Sequence, residues 1–201
     1  MFAIVESGSI TSMPKGNKGV EINGVKHPAS IFTLWSESER NAIGVYTVEI
    51  DNTNLKDEEW YVNTDITYTF SGGKVKGSYG TATAKNIADT KWTQKEIDDG
   101  DAPAGADTNT VKVEGLKTVL IKQVKRNAES ILNETDWYVT RKSEKSTAIP
   151  SSITTHRDAV RTKQASMETA ITNAADTPAL ETLYTRNSSG VRPLGDLPTL
   201  E

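Results

Sequence analysis

The spacing of apolar residues changes once along this chain, and that change limits the folds open to it. Through about residue 85 the apolar side chains alternate or fall in short runs broken by Gly, Asn and Pro, the pattern of short strands. From residue 114, Leu116, Leu120, Val124, Ala128 and Ile131 recur at intervals of three and four, the period of an amphipathic helix. Strands first and helices afterwards predict an α+β protein. Its expected parts are an N-terminal, mostly antiparallel β module with short helices over 1–85 and an acidic linker or loop over 86–110. A C-terminal α-helical hairpin over 111–185 and an extended tail over 186–201 complete it.

Within the first part, "FAIVE" and "SITSM" can pair across a Ser-Gly-Ser break, and "VEI-NG-VKH" places Asn23-Gly24 where a two-residue turn needs positive φ. Pro28 ends pairing, having no N–H to donate, and suits the first turn of a helix through "PASIFTLW". Ser36 followed by Glu39 predicts a capping box on a short helix closed by Gly44, with "VYTVEI" as the next strand. The alternating stretch from Trp60 to Phe70 and the one after it read as two strands meeting at Gly72-Gly73. The following "TQKEIDDGDAPAGADTNT" supplies Gly, Pro, Ala and acid without apolar period, hence the linker or loop.

In the helical part, a second helix is expected after Pro150, with Ser151 or Ser152 as cap, and a third at "TPALETLYT" with Pro178 in its first turn. Ile153, Val160, Met167 and Ala174 fall seven apart, like one edge of a coiled coil. The positions three further on, His156, Lys163 and Ala170, offer little apolar surface. Packing as a hairpin on the 114–132 helix and self-association across chains both use that edge. Between the helices, Thr135 or Asp136 can cap a short turn holding Trp137, Tyr138 and Val139. Such an aromatic wedge can fill the corner between two antiparallel helices, or anchor a partner. Candidate partner-binding residues are therefore Trp137, Tyr138, Ile153, Val160 and Met167.

Reactive chemistry finds little support. The chain has no Cys, which removes disulfides, thiolate nucleophiles and Cys-ligated zinc. Neither "SGGKVKGSYG" nor "PKGNKG" has phosphate-loop spacing, and both lie between strand-like runs. His27 and His156 stand alone in sequence, without a second imidazole at helical spacing. Glu96, Asp98, Asp99 and Asp101 surround Gly100 but lack the closing Glu of a calcium loop, and no serine sits in a nucleophile elbow. The expectation is no enzyme, no cofactor and no metal.

The formal charge is −4, from 23 Lys and Arg against 27 Asp and Glu, so no nucleic-acid partner is expected. It is uneven: residues 1–110 carry 10 basic against 16 acidic side chains, and residues 111–201 carry 13 against 11, as two modules with different surfaces would. No run approaches 18 apolar residues and the opening stretch meets acid and Ser-Gly within a few residues, so neither membrane nor signal segment is expected.

The segment "SILNETDWYVTRKSEKSTAIPSS" followed by "ITTHRDAVRTKQASMETAITNAAD" resembles the C-terminal part of phage tail-assembly chaperones or tail-fibre assembly proteins, and of related marine-phage virion structural proteins. The matching positions are Thr135, Asp136, Trp137, Arg141, Pro150, Arg157 and Arg161, within about residues 114–176. The opening "FAIVESGSI" through "AIGVYTVEI" is similar in style to the starts of such proteins. The resemblance implies a non-catalytic bacteriophage protein that binds tail or tail-fibre subunits, either transiently during assembly or permanently in the particle. The expectation is a virion structural protein of the tail, and the Ile153–Ala174 edge leaves a homo-oligomer open. Two other roles stay open: a transient assembly chaperone, and a hydrolase or carbohydrate-binding module using Trp60, Tyr61 or Tyr68 as a sugar platform.

Overall fold

The computed structural model describes residues 1–200 and is an α+β protein. The chain divides into two compact units, 1–83 and 84–201.

The first unit opens with β1 (Phe2–Glu6) and β2 (Ser9–Ser12), joined by a tight turn, and continues with the hairpin β3 (Val20–Ile22) and β4 (Val25–His27). Asn23 and Gly24 hold φ of 48° and 79° in the hairpin turn, the mirror-image conformation that suits the strand twist. Two short helices follow, α1 (Ile31–Leu34) and α2 (Glu37–Ala42). Ser36 and Glu39 form the capping box that the sequence predicts, and the helix gives way at Gly44, with φ of 86°. Then come β5 (Val45–Asp51), β6 (Tyr61–Val62), β7 (Thr67–Ser71), β8 (Lys74–Ser78) and β9 (Thr83–Ala84), in which the division between units falls.

Five of these strands make one sheet in the order β2-β1-β5-β8-β7. All neighbours are antiparallel except β5 and β8, which run parallel through Val48↔Val75 and Ile50↔Gly77. The sheet curls, bringing Cα atoms of its outer strands β2 and β7 within 8 Å. Alternation along the strands sorts side chains onto two faces. Ala3, Val5, Val48 and Val75 are buried on one, with Ile10, Met13, Tyr46, Tyr68 and Phe70 around them. Ile4 and Val45 face the other way and are covered by Ile22 of the hairpin and by Ile31 and Phe32 of α1. Gly77 is fixed by packing, since a Cβ there would meet Tyr68, Ile50 and Ile66 at 2.8, 2.9 and 3.0 Å.

The second unit contains β10 (Thr90–Lys91), α3 (Gln94–Asp98), β11 (Val111–Val113), α4 (Leu116–Asn133), α5 (Asp136–Lys145), α6 (Ser151–Asn173) and α7 (Thr177–Tyr184). The 86–110 stretch is built differently from the expected linker or loop. It pairs β10 with β11, and Thr93 and Glu96 close a second capping box on α3. Its start wraps the head of α4: Leu116 N–H donates to Asn86 O, Lys117 N–H to Ile87 O, and Gly115 N–H to Asp89 Oδ1 at 2.7 Å. Those amides would otherwise lack partners at a helix N-terminus, which is why a stretch without apolar period is nonetheless fixed.

Helices α4 and α6 pack together as the hairpin. Leu120, Val124 and Ala128 are buried on α4, and Ile153, Val160, Met167 and Ile171 on α6. Pro150, rather than Ser151 or Ser152, stands at the N-cap of α6, both serines lying inside the helix. Asp176 caps α7 by accepting from Ala179 N–H.

The final segment has no regular structure, yet it is docked. Leu194 is 3% exposed, its N–H donates to Leu183 O, and Lys163 Nζ donates to its carbonyl at 2.8 Å. Asp196 is gripped by Arg186 at 3.0 Å and Arg192 at 2.9 Å. An apolar anchor flanked by charge pairs holds what turn-forming composition alone reads as a loose tail.

Candidate docking site at the Thr135–Trp137 corner

The corner begins where α4 ends. Helix termini leave carbonyls without intrahelical partners, and here Leu132 O collects several donors. Thr135 N–H reaches it at 3.1 Å, Thr135 Oγ1 at 3.0 Å, and Arg157 Nη1 at 2.7 Å. Arg157 comes from the second turn of α6, on the same inward face as Ile153 and Val160. Its Nη1 also donates to Thr135 Oγ1 at 2.7 Å, and its Nη2 pairs with Asp136 Oδ1 at 2.8 Å. The guanidinium is thus a buried lock, 8% exposed, that meets the negative end of α4 and fixes where α5 leaves it.

On the outer side of this lock lies an aromatic cluster. Trp137 is 51% exposed, and its ring centroid sits 3.8 Å from that of Tyr138. Arg141, one turn on, places Cζ 4.7 Å from the Trp137 centroid and 5.2 Å from that of Tyr138, a cation–π arrangement. Val139 is also exposed. The short turn expected around Trp137 is instead the ten-residue helix α5, none of whose residues is buried. Trp137 therefore does not fill the corner between the helices; Arg157 and Thr135 do.

The structure separates the candidate partner-binding residues. Trp137 and Tyr138 share the α5 cluster. Ile153, Val160 and Met167 are 6, 0 and 4% exposed, so they are corrected from partner surface to internal core. Their seven-residue spacing lines the face that the packed α4 hairpin already covers, which also removes them from any contact between copies. Of the other matching positions, Pro150 caps α6, while Arg161 is half-exposed and pairs with Asp158 at 3.3 Å.

Other candidates resolve locally. Trp60 is 3% exposed, so it cannot serve as an open sugar platform, and Tyr68 packs against the core of the first unit. His27 sits edge-on to Trp35 at 6.1 Å. His156 is buried with Nε2 unbonded. In the acidic cluster, Glu96 caps α3 and pairs with Lys112, and Asp99 pairs with Lys95. Lys112 and the hydrogen bonds from Thr93 push the Glu96 carboxyl down to about 2. Among the described residues no group of three or more His, Cys, Asp or Glu is placed to hold a metal ion.

Arg157 is the functional-site residue that spacing and composition miss. A signal was present, because Arg157 falls between the apolar positions Ile153 and Val160 on one helix face, and a charged residue there needs a buried partner. Comparison with protein-family models, with curated proteins and with solved structures returns no match for the chain.

Proposed function

We propose that this chain is a non-catalytic structural protein of a bacteriophage tail, resident in the virion, that contacts tail or tail-fibre subunits through α5. The carrying observation is that α5 has ten residues and buries none of them. Isolated helices that short are marginal in water, and most helices gain their stability from a packed face. An aromatic helix held at one end by a buried lock, with none of its own residues fully buried, is suited to being completed by a neighbour. The resemblance of the Thr-Asp-Trp segment to phage tail and tail-fibre assembly proteins supplies the biological setting. Exposed Trp137 and Val139, with the guanidinium of Arg141 over the Trp137 and Tyr138 rings, provide the mixture of aromatic and Arg surface favoured at interface anchors.

Mass spectrometry of purified virions tests this reading. The expected result is the chain at a fixed copy number relative to the tail subunits. Its presence only in infected-cell lysate would instead identify a transient assembly chaperone and overturn residence in the particle.

A further inference from the structure

The charge on α5 restricts what can cover it. Asp136 is engaged by Arg157, and the rest of the helix carries Arg141, Lys142 and Lys145 against Glu144. Trp137, Arg141 and Lys145 follow one another at intervals of four, as do Tyr138 and Lys142, so aromatic and cationic groups form adjoining rows. Lys142 and Lys145 are exposed. Two copies of this helix set face to face would bring like charges together, which opposes pairing. A lipid surface is a poor match too, because only Trp137, Tyr138 and Val139 could enter it, well short of a continuous apolar face.

We propose that α5 docks an acidic segment of another protein, one whose Asp or Glu side chains meet Arg141, Lys142 and Lys145 while an apolar side chain packs on Trp137 and Tyr138. This rests on α5 being the partner surface of the preceding reading, and adds the chemistry of what it binds. The cation–π contact orders Arg141 beside the rings, so a carboxylate arriving there meets a guanidinium already positioned to donate to it.

Two model peptides of equal length test the claim, both with leucine at helical spacing, one with glutamate and the other with lysine between. The readout is the indole N–H resonance of Trp137 in the full chain, assigned with Trp137→Phe. The glutamate peptide should shift this resonance saturably and bind more weakly as NaCl is raised; the lysine peptide should leave it unmoved. Replacing Arg141, Lys142 and Lys145 together by Gln, a good helix former, should weaken glutamate-peptide binding roughly tenfold. Adding Arg157→Gln is unnecessary, because the lock lies behind the surface. Equal shifts with both peptides, no shift with the glutamate peptide, or unchanged affinity in the triple variant would each overturn the proposal. So would sedimentation showing that the chain dimerises and that Trp137→Ala abolishes the dimer. Absence from virions would remove residence in the particle and leave this charge selectivity standing, whereas loss of selectivity would leave residence in the particle intact.

Discussion

A buried cation with three separate acceptors is costly to disturb. Arg157→Ala would remove one of the three donors to Leu132 O, the donor to Thr135 Oγ1 and the Asp136 pair. The expected loss is about 2–4 kcal/mol in urea unfolding. Asp136→Asn should cost under about 1 kcal/mol, since that carboxylate is half-exposed and screened. Equal costs for the two would mean the Asp136 pair, not the Leu132 carbonyl, is the working half of the lock. Glu96 provides a pH signature of a different kind. Folding lowers its pKa from 4.5 to about 2 through Lys112 and Thr93, so its contribution is complete above about 4.5 and disappears as the pH falls through about 2. Glu96→Gln should flatten stability against pH across that window, read by thermal melts at successive pH values. Residue types were legible here only in part: Ser36 and Glu39 announce their box by spacing, but nothing in the sequence pairs Arg157 with a carbonyl 25 positions earlier.

Among the elements, α4 is legible from its apolar period and α5 is not. Asp136–Lys145 has no buried residue and no apolar stripe to read, so sequence supports only a turn there; its start is set by the long-range lock behind it. The same weakness is measurable. Amides of 137–145 should exchange with solvent much faster than those of the α4 and α6 interiors in hydrogen-exchange experiments, and equal protection would show that α5 is held by more than its first turn. The segment 86–110 was only partly legible: Thr93 and Glu96 have the same box spacing as Ser36 and Glu39, but the pairing of β10 with β11 and the hydrogen bonds to the head of α4 leave no apolar period to read. Gly115 is where that contact is closest: a Cβ would lie 2.3 Å from Ala88 C and 2.4 Å from its O. Gly115→Ala should therefore cost about 1–3 kcal/mol, checked by chemical denaturation, and should loosen residues 86–89 first.

For the molecule as a whole, the strand-to-helix change in apolar spacing carried the α+β architecture, while the docking of the tail depended on Leu194 meeting Lys163, 31 positions earlier, and on Asp196 pairing with the nearer Arg186 and Arg192. Each unit has its own buried set, Ile4 and Val45 among others in the first and Val160 and Ile171 in the second. Val45→Ala and Val160→Ala, each expected to cost roughly 2 kcal/mol, should shift different steps of the unfolding curve, followed by probes in each unit. A single step moved equally by both would show that the units unfold together. The curl of the first unit's sheet bears on how such a protein survives crowding. A visiting strand needs roughly 4.8 Å on each side to pair, so where β2 and β7 lie within 8 Å of each other an intruder has no room to slip between them. Copies at high local concentration could then meet without zipping into fibrils along those borders.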